Sequence, residues 1–183
     1  MGFIINMSEK NIDEMKKNSK SNIVLIGMPS SGKSTIGRVL AKKLNARFID
    51  TDNLLRESQK MELRDIVINF GHEYFLKVQE EEILRLDAEN SVIATGGSVI
   101  YSENAMNHLR KLGYIVYLQI HIDELMKRIK SGRRFAKKKD QSFEELYNER
   151  VPLYEKYSDF IVNCTGKSVE DNADDIIKMI KPI

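Results

Sequence analysis

Five short apolar runs punctuate this chain, and longer stretches of helical spacing separate them. The runs lie at 22–27, 47–50, 91–95, 114–119 and 160–163. Runs of this length bounded by turn signals predict buried strands. The intervening stretches predict helices at 33–44, 52–59, 62–69, 73–89, 103–111, 122–130, 142–156 and 168–180. In the first of these, Ile36, Val39, Leu40 and Leu44 fall on one stripe. Alternation of this kind implies an α/β fold, with a parallel sheet covered by helices on both faces. Such a sheet places its ligands at the carboxyl ends of the strands. No internal repeat or low-complexity linker interrupts the pattern, so 21–183 reads as one domain. Residues 1–20 are polar and Lys-rich and read as an N-terminal extension, either helical at 9–17 or partly disordered.

The first run leads into Gly27-Met28-Pro29-Ser30-Ser31-Gly32-Lys33-Ser34-Thr35. This fits the phosphate-loop pattern G-x-x-x-x-G-K-[S/T], and its context is the required strand, loop and helix start. Backbone N–H groups of such a loop join the helix dipole in an anion nest for nucleotide phosphates. Lys33 can reach the outer phosphates, and the Ser34 hydroxyl can ligate Mg²⁺.

Composition narrows the rest. A chain of 183 residues that is 42% hydrophobic and 31% charged can bury a proper core. A formal charge of +2 points to neither a nucleic-acid binder nor a polybasic membrane protein. No run has the length of a membrane span, and the first residues lack a signal-peptide pattern. The one cysteine, Cys164, excludes an internal disulfide framework and suits a reducing compartment. A cytoplasmic protein, expected as a monomer, is the outcome.

Other residues could carry chemistry at the strand ends. Asp50-Thr51-Asp52 follows the second strand, and two acids two apart on a strand can face one way. One could organise Mg²⁺ through water while the other accepts a substrate hydroxyl. Alternatively, Asp52 simply caps a helix that begins at Asn53. Gly96-Gly97-Ser98 ends the third strand, where paired glycines let backbone approach a ligand, or merely turn the chain. Arg133 and Arg134 open a basic stretch that could act as a lid, about 131–141, carrying an arginine to the reacting phosphoryl group. Arg150 could grip a carboxylate bidentately, or serve as a helix C-terminal cation.

With those residues in hand, the chain resembles the shikimate kinase family over nearly all of 22–183. The phosphate loop, Asp50-Thr51-Asp52, Ile93-Ala94-Thr95-Gly96-Gly97 and Glu149-Arg150-Val151-Pro152-Leu153-Tyr154 carry the resemblance in the right order. It implies a three-layer α/β/α P-loop fold with a five-stranded parallel sheet. It also implies transfer of the ATP γ-phosphoryl to the 3-hydroxyl of shikimate. By that resemblance Gly27, Ser30, Ser31, Gly32, Lys33, Ser34 and Thr35 hold ATP, with Arg128 beside its adenine. Ser34 and Asp50 serve Mg²⁺. Asp52, Gly96, Gly97 and Arg150 hold the acceptor. Lys33, Asp52 and Arg134 are the catalytic set.

The chain departs from the family pattern where the acceptor should sit. Ser98 replaces a third glycine, and Phe135 stands where the lid's proline is expected. Leu76 occupies the position of a second carboxylate-binding arginine, and Gln79 that of its glutamate partner. Losing both together avoids leaving an unpaired buried charge. Arg56, four residues after Asp52, could replace the missing arginine, or could pair with Glu57 or Asp52 on the surface. Three functions therefore compete: a shikimate kinase, a related phosphotransferase acting on another polyol or hydroxy acid, and a nucleotide-binding regulator without turnover. A nucleoside monophosphate kinase fits the glycine pair poorly.

Overall fold

The computed structural model describes residues 21–129 and 141–180. The extension at 1–20 and most of the lid, with Arg133 and Arg134, lie outside the described residues.

Five parallel strands form one sheet in the order β2-β3-β1-β4-β5. They are β1 (Asn22–Ile26), β2 (Arg47–Asp50), β3 (Ser91–Ala94), β4 (Gly113–Gln119) and β5 (Phe160–Asn163). All five positions of β1 are buried. A strand with no exposed position is covered on both faces, which is why its sequence shows no polar alternation. Seven helices are described: α1 (Lys33–Leu44), α2 (Thr51–Gln59), α3 (Leu63–Arg85), α4 (Glu103–Leu112), α5 (Ile122–Arg128), α6 (Phe143–Tyr157) and α7 (Val169–Ile180). Helices α1 and α7 pack together, as do α3 and α4. Among the described residues no helix is long and apolar enough to cross a membrane.

Asn22 fixes the starts of three strands at once. Its side-chain Nδ2 donates to the carbonyls of Ala88 (2.6 Å) and Leu112 (2.9 Å), while Oδ1 accepts from the Ser91 N–H (2.9 Å). A buried amide satisfied three times sets the sheet register rigidly. The carboxyl ends, where the candidate residues gather, are held in consequence.

The two helices expected at 62–69 and 73–89 are present as the two halves of α3, separated by a kink at Gly71, where the backbone is not helical (φ 87°, ψ 171°); the second half ends at Arg85. The break redirects the chain, so one half packs Ile66 and the other packs Phe75 and Val78 into a satellite core with Leu55. A short 3₁₀ turn, Val99–Tyr101, follows β3 and was not expected.

Candidate active site

The phosphate loop joins β1 to α1. Gly32 is the N-cap of α1 with φ 92°, and it offers no side chain to the helix start. First-turn N–H groups are thus left for an anion. Gly27 has φ 147°, and a Cβ there would lie 2.9 Å from the Leu118 carbonyl oxygen. Only glycine fits so close beneath β4. Ser30 takes a left-handed conformation (φ 67°) at the loop tip. The Ser31 N–H closes the turn on the Met28 carbonyl at 3.1 Å. Lys33 is buried, and its ammonium donates to the carbonyls of Gly27 and Met28, both at 2.8 Å, and to Ser31 Oγ at 3.4 Å. A lysine tied across its own loop holds that loop open to phosphate.

Asp50 and Asp52 do not lie on one strand, as the alternation argument assumed. Strand β2 ends at Asp50, and α2 begins at Thr51 with Asp50 as its N-cap. Asp50 Oδ1 accepts from the Asp52 N–H (3.1 Å), and Asp50 Oδ2 accepts from the Ser34 hydroxyl (2.7 Å). The helix cap is therefore Asp50, not Asp52. That leaves the Asp52 side chain facing the cleft from the first turn of α2. Thr51, buried behind it, accepts the Gly96 N–H at 3.3 Å, which ties α2 to the end of β3.

A cleft of about 620 Å³ runs along these carboxyl ends. Ser30, Gly32, Lys33, Ser34, Thr35 and Arg128 line one end; Asp52, Gly96, Gly97, Arg150, Gln79 and Arg56 line the other. Arg150 does not sit at a helix C-terminus. Helix α6 continues through Pro152 to Tyr157, and Arg150 is interior and 1% exposed. Its Nε donates to the Tyr101 hydroxyl (3.1 Å), which donates to Glu149 (2.7 Å). A Cβ on Gly97 would fall 3.2 Å from Arg150 Nη1. Burial, opposed by the adjacent guanidinium, holds the Tyr101 hydroxyl above its ordinary pKa, so it stays protonated as a bridge. Tyr154, fully buried, donates to the Gly97 carbonyl at 2.6 Å. Burial pushes its pKa up as well.

Arg56 pairs with Asp52 through the main chain and not the carboxylate, and its carboxylate neighbour is Glu62 instead of Glu57. Its Nη1 donates to the Asp52 main-chain carbonyl (3.1 Å), and its Nε lies 3.6 Å from Glu62. Arg128 pairs with Glu124, whose carboxyl is held below its usual range first by the Gly166 N–H and then by Arg128. Leu76 does not line the main cleft. It borders an adjoining pocket of about 120 Å³, whose walls include Gln79, Ser98 and Tyr101.

The sequence model of shikimate kinase matches residues 29–181. A shikimate kinase of Clostridium botulinum (strain ATCC 19397 / Type A) is 42% identical over 153 residues, covering 80% of this chain and 89% of the relative. The chain belongs to the shikimate kinase family. Two solved structures agree on the fold. The shikimate kinase of Aquifex aeolicus vf5 superposes with a TM-score of 0.75 at 30% identity, covering 88% of this chain and 96% of that one. The shikimate kinase of Acinetobacter baumannii in complex with shikimate gives 0.81 at 24% identity, covering 92% and 97%.

Of the residues the resemblance implies, Ser30, Gly32, Lys33, Ser34, Thr35, Asp52, Gly96, Gly97, Arg128 and Arg150 line one cleft. Sequence reasoning missed the hydroxyls that tie the Asp52, Gly97 and Arg150 side of the cleft together: Thr51, Tyr101 and Tyr154. Tyr154 was visible in the matched segment after Arg150, but nothing in its spacing showed that it reaches Gly97. It also missed the bond between two of the departures, Ser98 Oγ donating to Gln79 Oε1 at 2.9 Å.

Proposed function

We propose that this chain transfers the γ-phosphoryl group of ATP to a hydroxyl of shikimate, as a cytoplasmic monomer. One observation carries the reading: a single cleft, built from one chain, has an anion-binding loop at one end and a buried arginine facing glycine backbone at the other. The two ends suit a triphosphate and a hydroxylated carboxylate respectively.

In this reading the loop N–H groups from Gly27 to Thr35 cradle the phosphates, and Arg128 flanks the adenine. Arg150 grips the acceptor carboxylate, and Gly96 and Gly97 let the acceptor lie against main chain. Asp52 receives the acceptor hydroxyl. The acceptor oxygen bonds the γ-phosphorus, the bridging oxygen leaves on ADP with the bonding pair, and the hydroxyl proton passes to the Asp52 carboxylate. Charge on the transferring group spreads over its equatorial oxygens, so Lys33 and the lid arginine, assigned to Arg134, stabilise it by position. The oxygen donors Ser34 Oγ and Asp50 Oδ2, 2.7 Å apart at the loop, fit Mg²⁺. That ion takes few protein ligands and completes its shell with water and phosphate. When bound it neutralises phosphate charge; Ser34 would ligate it directly and Asp50 through water.

The test is ADP release coupled to NADH oxidation, with product identified by ³¹P NMR. Shikimate-dependent ADP formation with a new phosphomonoester signal is expected. A protein that binds ATP yet gives neither at millimolar shikimate would overturn the reading. Leu76 outside the cleft and the neutral Gln79 inside it favour one second reading, a related hydroxy acid as acceptor. The same assay over cyclic and linear hydroxy acids separates the two.

A further inference from the structure

Gln79 is 5% exposed, yet among the described residues its Nε2 has no hydrogen-bond partner. Such an orphan is rare in a folded interior, because an unmet buried donor loses its hydration for nothing. The amide is not loose. The Ser98 hydroxyl, itself buried, donates to Oε1 at 2.9 Å and so turns Nε2 the other way. A Cβ built on Gly96 would stand 2.4 Å from Gln79 Nε2 and 2.6 Å from Asp52 Oδ1. The two polar atoms therefore lie no more than about 5 Å apart, over the bare face of Gly96 and in the wall of the cleft. One is a donor; the other, on an ionised carboxylate, is an acceptor only. Oxygen toward Asp52 would set two acceptors against each other, so the same geometry also decides the amide orientation.

We infer that Gln79, aimed by Ser98, is a specificity-determining contact that reads one non-reacting hydroxyl of the acceptor; this rests on the kinase reading above. A hydroxyl both donates and accepts. It can donate a hydrogen bond to the Asp52 carboxylate and accept one from Gln79 Nε2, giving that amide nitrogen a partner. A carboxylate at position 79 could not do this, since it has no proton to offer and would repel Asp52. The three departures in the acceptor wall then form one change. Without an arginine at 76, a glutamate at 79 would be a buried unpaired charge beside Asp52. The amide removes the charge, and the Ser98 hydroxyl fixes the orientation that a salt bridge would otherwise fix. The recognised acceptor is one with a hydroxyl adjacent to the one being phosphorylated.

The experiment compares shikimate with its 4-deoxy and 5-deoxy analogues, using wild type, Gln79→Glu, Gln79→Met and Ser98→Ala. Gln79→Glu keeps the shape and the Ser98 bond but adds a buried charge, so the neutral Gln79→Met, of similar length, guards against a variant that fails to fold. Each Gln79 variant is expected to raise the KM for shikimate about 3- to 10-fold, the range of one neutral hydrogen bond, with the KM for ATP unchanged. Ser98→Ala is expected to raise it less, about 2- to 5-fold. For the 4-deoxy analogue, which lacks the hydroxyl next to the reacting one, the wild type has already lost the contact, so Gln79→Met should change its KM less than about 2-fold. That non-additivity separates a contact from a merely structural role. Equal KM changes on all three acceptors, or none, would overturn the assignment while leaving the kinase reading intact. A wild type that phosphorylates no acceptor would overturn both.

Discussion

Replacing Arg150 tests the acceptor half of the cleft most directly. The guanidinium is 1% exposed and does two things at once: Nε donates to Tyr101, and Nη1 faces the main chain of Gly97. In Arg150→Lys the charge survives, but a single ammonium has no planar fork and cannot serve both directions. A hydrogen bond to a charged group is worth about 1.5–3 kcal/mol, so the KM for shikimate should rise about 10- to 150-fold. The carboxylate keeps its charge throughout the reaction, so the contact is equal in ground and transition states. Hence kcat should change by less than about 3-fold. The Tyr101 hydroxyl keeps Glu149 as a partner, so the fold should lose no more than about 1–2 kcal/mol, a fall in Tm of roughly 2–8 °C for a chain of this size. Steady-state kinetics in each substrate, with a melting curve, reads all three quantities. A KM for shikimate within 2-fold of wild type, in a folded protein, would refute the assignment. An equal rise in both substrates' KM would do so too.

Three further outcomes are expected. Lys33→Ala should lower kcat by about 10²- to 10³-fold or more, because the charge it meets lies on the transferring phosphate, while the loss of its loop bonds lowers the melting temperature without unfolding the protein; near-normal turnover would remove the kinase reading. Arg134→Ala should lower kcat more than it raises the KM for ATP; the same result from Arg133→Ala instead would shift the lid assignment by one residue. Burial pushes the Cys164 thiol up to about 12, so at pH 8 only about one molecule in 10⁴ carries a thiolate. Iodoacetamide should accordingly leave the native protein unlabelled and label it promptly in guanidinium, as mass spectrometry would show.

Strand positions were legible to within a residue because each strand is a short buried run with a sharp polar boundary. The phosphate loop was legible because its nine residues are contiguous and its job falls to main-chain N–H groups. Failures arose where a side chain reaches out of its own segment. The run Asp50-Thr51-Asp52 looked like strand followed by cap. Its true register depends on Asp50 choosing the Asp52 N–H and the Ser34 hydroxyl, and Ser34 lies sixteen positions earlier. Arg56 was sought at helical spacing from Asp52, but its carboxylate partner, Glu62, stands beyond the end of α2. The helix predicted over 142–156 is found at Phe143–Tyr157, but its spacing did not show that Arg150 turns inward to Tyr101 and Gly97 instead of serving the helix C-terminus.

The same contrast explains why the donor half matches the family pattern while the acceptor half departs from it. A phosphate is recognised by a loop whose geometry depends on glycine conformations at Gly27 and Gly32 and on a lysine bonded to its own carbonyls. Changing one member distorts the rest, so the loop is retained whole. The acceptor wall is assembled instead from side chains of α2, α3, the 3₁₀ turn and α6, each on an element whose backbone is anchored elsewhere. Asp52 is anchored through Thr51 and the Asp50 cap, Gly97 through Tyr154, and Arg150 through Tyr101. Side chains at 76, 79 and 98 can therefore be exchanged without moving these anchors, provided the buried charges change together. Leu76, Gln79 and Ser98 satisfy that condition: a cation and its carboxylate are both absent, and a neutral amide held by a hydroxyl stands in their place. Acceptor preference can shift on this scaffold while the phosphoryl-transfer geometry stays where it is.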